Sequence, residues 1–124
     1  MRKTPSLAFH LTKLGDYEAL RPYVIAQSKH ETNNYRSNVF DKYNNLFGMK
    51  NASFRMQYGK NVDSTDYRVY VSSAQSIKDL LLYFDYVGFP KSVQSVDQYV
   101  QELKHRDYFE DDFFNYRNGL LRFL

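Results

Sequence analysis

Twice in this chain a serine stands three residues ahead of a glutamine at the head of an apolar helical face. These two capping boxes constrain the fold more than any other feature. Ser72 and Gln75 lead into Ile77, Leu80, Leu81 and Phe84, and Ser95 and Gln98 accompany Val96, Tyr99, Val100 and Leu103. The first of these helices ends at Gly88 and Pro90, a residue free to turn left-handed followed by one that cannot continue a helix. Upstream, Leu20, Tyr23, Val24 and Gln27 fall at i, i+3, i+4 and i+7, which predicts a helix from about residue 16 to Lys29, with Pro22 tolerated near its start. Between these helical regions the period changes. Phe54-Arg55-Met56-Gln57 and Tyr67-Arg68-Val69-Tyr70-Val71 alternate or favour strands, and Tyr58-Gly59-Lys60-Asn61 supplies turn residues, so a short β-hairpin is predicted within 53–71. The segment from Asp111 to Leu124, with Phe113, Phe114, Tyr116, Leu120 and Leu121, reads as a last helix packed on the core. Helices, one hairpin and more helices make an α+β domain over 16–124, behind an irregular lead-in over 1–15.

A chain of 124 residues accommodates one domain with one core. With no cysteine, neither a disulfide frame nor a thiolate zinc site can form, and His10, His30 and His105 lie too far apart to show metal-ligand spacing. No metal and no cofactor is expected. The net charge of +3 is carried by scattered Lys and Arg rather than by a dense basic face, which argues against nucleic-acid binding. No apolar run is long enough for membrane insertion. In the N-terminal stretch, His10, Thr12 and Lys13 break the apolar run, so it does not read as a secretory signal. Twelve Tyr and ten Phe exceed what a small core needs, and the surplus suits a groove that grips a flat, partly apolar ligand such as a sugar.

Two blocks carry chemistry. The first is Ala26-Gln27-Ser28 with His30-Glu31-Thr32, and the second is Tyr43-Asn44-Asn45-Leu46-Phe47-Gly48-Met49-Lys50. Together they resemble the glucosaminidase domains of peptidoglycan hydrolases, glycoside hydrolase family seventy-three, within the lysozyme-like group. The first block resembles that family's Ala-Gln and Glu-Ser/Thr signature, and the second its Asn-Asn-Leu-Phe-Gly loop almost residue for residue. Tyr67-Arg68-Val69-Tyr70, then Ser76-Ile77 with Asp79, then Leu103 through Tyr116 follow in the family's order, so the resemblance spans roughly residues 20 to 124. It implies a lysozyme-like fold, mostly helical with a small hairpin lobe across a groove, and a peptidoglycan hydrolase with Glu31 as catalytic acid.

The chemistry explains the residue types. Cleaving a glycosidic bond requires a proton on the leaving oxygen and stabilisation of an oxocarbenium-like sugar. A carboxyl that keeps its proton near neutral pH needs apolar burial, and the negative end of a helix assists. Glu31, at the end of its helix and near Tyr35, Phe40 and Phe47 in sequence, is placed for both. Gly48 suits a tight turn, while Asn44 and Asn45 can serve either sugar hydroxyls or the loop's own backbone. Phe47 reads more as core than as ligand contact, and it joins Tyr43, Tyr67 and Tyr70 as a candidate for contact with the glycan. For the second catalytic group, two schemes stay open. Many family members carry a second acid in the hairpin, and here Asp66, or Asp63, is the acid available there. In the other scheme the sugar's N-acetyl oxygen attacks, and Tyr67 or Tyr70 orients it.

The expected partner is the glycan strand of peptidoglycan. An alternative from another class is a phage virion or tail component that keeps the fold as a structural or wall-binding module. Without a signal sequence, the expectation is delivery to the wall by a phage, as an endolysin or virion-borne enzyme, or within a larger assembly.

Overall fold

The computed structural model describes residues 3–124. Its helices are α1 (Ser6–Leu11), α2 (Arg21–Glu31), α3 (Asn38–Tyr43), α4 (Ser73–Val87), α5 (Val96–His105) and α6 (Phe113–Leu121), with a 3-10 helix over Gly15–Leu20. The one sheet among the described residues pairs β1 (Lys60–Val62) with β2 (Thr65–Val69), antiparallel, between α3 and α4. This is the mostly helical, lysozyme-like α+β arrangement expected. Among the described residues, no helix is long and apolar enough to cross a membrane.

The helix boundaries follow from capping chemistry. The Oγ atoms of Ser72 and Ser95 accept from the backbone N–H of Gln75 and Gln98 at 3.3 and 3.1 Å. Each glutamine reaches back one residue further than the usual box, to the N–H of Val71 and of Gln94. Gly88 closes α4 in the left-handed region. Asp112 opens α6 by accepting from Phe114 and Asn115.

The buried residues form one cluster. Leu20 and Val24, Ile77, Leu80 and Phe84 of α4, Tyr99 and Leu103 of α5, and Leu120 of α6 are all sealed from solvent. Gly119 lets α6 close onto α2, because a Cβ there would collide with the His30 imidazole.

Three expectations need correction. Part of the supposedly irregular lead-in is helical: α1 buries Phe9, and Arg21 donates to the carbonyls of Phe9 and Thr12, tying this segment to α2. The first two residues of the lead-in lie outside the described residues. The first strand of the hairpin is not Phe54–Gln57 but Lys60–Val62, where a turn was expected. The cause is a buried ion pair: Arg55 turns inward to Asp79 of α4, with Nη1 and Nη2 at 3.1 and 3.2 Å from the carboxylate, and this draws 53–57 out of strand geometry. Its place beside β2 is taken by residues 49–51, through Arg68 N–H to Met49 O and Asn51 N–H to Asp66 O, both at 2.9 Å. Finally, of the apolar residues on α6, Phe114 and Leu121 face solvent while Tyr116 and Leu120 are buried.

Candidate active site

The last turn of α2 is built to present one carboxylate. Ala26, Gln27 and Ser28 are fully buried, so the helix is packed almost all round as it reaches its end. Gln27, one turn before Glu31, accepts from the Tyr99 hydroxyl. Its Nε2 is the one buried side-chain polar atom without a hydrogen-bond partner among the described residues. After Glu31 the chain stops abruptly. Asn33, Asn34 and Tyr35 adopt φ of 49°, 57° and 66°, three successive left-handed residues. A left-handed conformation costs a non-glycine residue about 1–2 kcal/mol, less for Asn. Thr32 holds the turn: its hydroxyl donates to Ser28 O at 2.7 Å and accepts from Tyr35 N–H at 2.9 Å. Backbone strain of this kind concentrates at functional sites, and here it directly follows the candidate acid.

Glu31 lies at the junction of two cavities. One, of about 470 Å³, is lined by Phe47, Phe54, Tyr83, Tyr108 and Phe109. The other, of about 290 Å³, is lined by Ser37, Val39, Asn45 and Tyr67. Glu31, Gly48 and Lys50 belong to both. A third cavity, of about 570 Å³, is lined by Phe9, His10, Arg21, Ile25, Lys29 and Tyr35 among others, and it contains no carboxylate. Size alone would favour it, but the chemistry lies with the first two.

Burial raises the Glu31 pKa from 4.5 to about 7, and a hydrogen bond from Tyr116 pulls it partly back. The Tyr116 hydroxyl donates to Oε1 at 2.7 Å. Burial keeps that phenol far above its ordinary pKa, so it remains a donor. The ring is locked between the face of Phe109, stacked at 4.0 Å, and the edge of His30 at 4.7 Å. Burial lowers the His30 pKa, which favours the neutral imidazole. On its other side the carboxyl meets Gly48, whose φ of 64° is unfavourable to other residues. Oε2 is the oxygen on that side: a Cβ built on Gly48 would stand 3.4 Å from it.

The Asn-Asn-Leu-Phe-Gly loop holds this wall of the groove. Asn45 is fully buried: its Nδ2 donates to Met49 O and Arg68 O, and its Oδ1 accepts from Met49 N–H at 3.0 Å. Asn44 ends α3 at φ 54°, donates to Tyr70 O and accepts from Lys3 Nζ. Both amides are therefore engaged with the protein itself. Leu46 N–H donates to Ser76 Oγ, and Tyr108 donates to Phe47 O at 2.8 Å, fastening the loop to α4 and to the α5–α6 connection.

The structure brings only some of the sequence-predicted residues together. Glu31, Asn45, Phe47 and Tyr67 line the cavities. Tyr43 lies among the residues lining neither, and its carbonyl accepts from Tyr70 N–H. Tyr70 belongs to the core, its hydroxyl 2.5 Å from Asp79. Asp66 is exposed and precedes Tyr67 on β2, and successive side chains on a strand point to opposite faces. Since Tyr67 enters the groove, Asp66 faces away from it. Asp63 sits exposed in the turn between β1 and β2. Tyr35 and Phe40 pack on each other and line neither cavity at Glu31, with the Tyr35 hydroxyl bonded to Ser28. The aromatic neighbours that matter are instead Tyr108, Phe109 and Tyr116. Tyr116 appears in the sequence only as part of the closing segment, because its contact with Glu31 spans 85 residues. The other carboxylates lining the groove, Asp107 and Glu110, were not anticipated as site residues; both are exposed on the α5–α6 connection.

A buried carboxyl whose pKa is raised to about 7, beside two cavities, can serve as a general acid on a glycosidic bond. No curated protein and no solved structure matches the chain. The profile of the glucosaminidase family, described as mannosyl-glycoprotein endo-beta-N-acetylglucosaminidase, matches residues 12–123, and the chain belongs to that family of glycoside hydrolases.

Proposed function

We propose that this domain hydrolyses the β-1,4 bond on the N-acetylglucosamine side of bacterial peptidoglycan, with Glu31 as general acid. The observation that carries the reading is the Glu31 carboxyl itself, raised to about 7 and standing where the two cavities meet. In this scheme Tyr116 holds Oε1, and the proton rides on Oε2, from which it passes to the leaving oxygen. Asp66 faces away from the groove, and in this scheme the sugar's own N-acetyl oxygen attacks C1 as the leaving oxygen takes the proton. Water then opens the resulting oxazoline and returns a proton to Glu31, with Tyr67 beside the site. The enzyme acts at the bacterial cell wall.

The test is digestion of purified peptidoglycan by the wild type and by Glu31→Gln, with mass spectrometry of the reduced products. Ends in reduced N-acetylglucosamine, lost in the variant, support the assignment. Reduced N-acetylmuramic acid ends mean a muramidase, and anhydro ends a lytic transglycosylase. No release by a folded wild type would favour a wall-binding or virion-structural role. Asp107→Asn and Glu110→Gln decide the second group: a fall in kcat with KM retained in either would replace substrate assistance with a two-carboxyl scheme.

A further inference from the structure

We propose that Phe54 and Tyr86 form a distal platform on which a sugar of the bound glycan stacks, beyond the bond held at Glu31. This rests on the hydrolase reading above and extends it. Phe54 lines the cavity of about 470 Å³ together with Glu31, so its ring is continuous with the groove, and Tyr86 of α4 packs on Phe54 from outside that cavity. It is nonetheless 63% exposed, as is Tyr86 at 56%, and the two rings lie 5.6 Å apart. Met56, next but one along the chain, is also exposed. Clustered exposed apolar side chains at the mouth of a groove mark a binding surface.

The second observation is rigidity. Residues 52–58, on which Phe54 rides, are pinned on both sides. Arg55 forms its buried ion pair with Asp79, and Tyr58 N–H donates to the same carboxylate at 3.0 Å. Gln57 closes the loop on itself, accepting from Ala52 N–H at 2.8 Å and donating to Lys50 O at 3.1 Å. The Arg55 guanidinium in turn lies over the Tyr83 ring, which lines the same cavity. An exposed aromatic side chain on a loop fixed in this way offers its apolar surface without a large ordering cost on binding. The C–H face of a pyranose matches it, and a ring further along a strand already seated over Glu31 is the group that reaches it.

The experiment measures binding by calorimetry in the Glu31→Gln background, which removes turnover, with peptidoglycan-derived disaccharide and octasaccharide. The octasaccharide is expected to bind more tightly, and Phe54→Ala to weaken it about fivefold while shrinking the difference between the two ligands. Phe54→Trp is expected to restore the difference, and Tyr86→Ala to reduce it from the α4 side. An octasaccharide affinity unchanged in both alanine variants, with catalysis of long glycans by the parent enzyme intact, would overturn the platform and leave the hydrolase reading standing. A Glu31→Gln protein that binds neither ligand, with a wild type that releases nothing from peptidoglycan, would overturn both.

Discussion

A single carboxyl dominates at the residue scale. Glu31 has its pKa raised by burial to about 7 in the folded chain, against 4.5 when free. The folded state therefore holds this proton more tightly than the unfolded state, and stability falls as pH rises from about 4.5 to about 7. Glu31→Gln keeps the shape and the acceptor for Tyr116 but removes the charge. It should stabilise the protein above pH 7 by up to about 3 kcal/mol, and the gain should vanish below the ordinary glutamate pKa. Denaturant titrations at the two extremes of pH measure this, and equal effects at both would contradict it. Tyr116→Phe removes a hydrogen bond that lowers the Glu31 pKa. Its pH–rate profile should shift its alkaline limb upward, with kcat down about threefold to tenfold from lost positioning. An unmoved limb would mean that Tyr116 serves packing alone.

At the scale of elements, Asp79 on α4 holds the hairpin lobe in place. It accepts from Arg55, from Tyr58 N–H and from the Tyr70 hydroxyl, all in a buried setting. Removing one partner of such a pair leaves an uncompensated buried charge. Asp79→Ala should cost about 3 kcal/mol in equilibrium unfolding, where a surface ion pair would cost less than about 1. The same contact explains where sequence reasoning stopped. Ser72, Ser95, Gly88 and Glu31 could be placed from local rules, because capping and periodicity act within a few residues. The first hairpin strand could not: Phe54–Gln57 has strand-like alternation, but a partner 24 residues away takes Arg55 inward. Helix α3 was missed for a related reason, being six residues long with only Phe40 fully buried.

For the whole molecule, α2 and the connection from α5 to α6 face the hairpin lobe across a groove, and Glu31 stands where its two cavities meet. Cavities on both sides of the acid suit a bond inside a strand rather than at its end. Early digests should therefore contain long fragments throughout, by size-exclusion of released glycans; steady release of disaccharide from the outset would count against this. The motifs made Glu31 and its loop legible, yet the groove's far wall was not, since Tyr108, Phe109 and Glu110 reach it only through the packing of α5 and α6. Asn45 shows a choice the motif left open, between sugar hydroxyls and the loop's own backbone: its amide is spent on backbone. The most direct test of Glu31 as general acid is the initial rate of glycan release from about pH 5 to about pH 9, for wild type and Glu31→Gln. With Glu31 as the acid, the wild-type rate falls with a midpoint near 7 and the variant stays at background throughout. Activity retained by Glu31→Gln would contradict that role, as would a wild-type rate indifferent to pH across that midpoint.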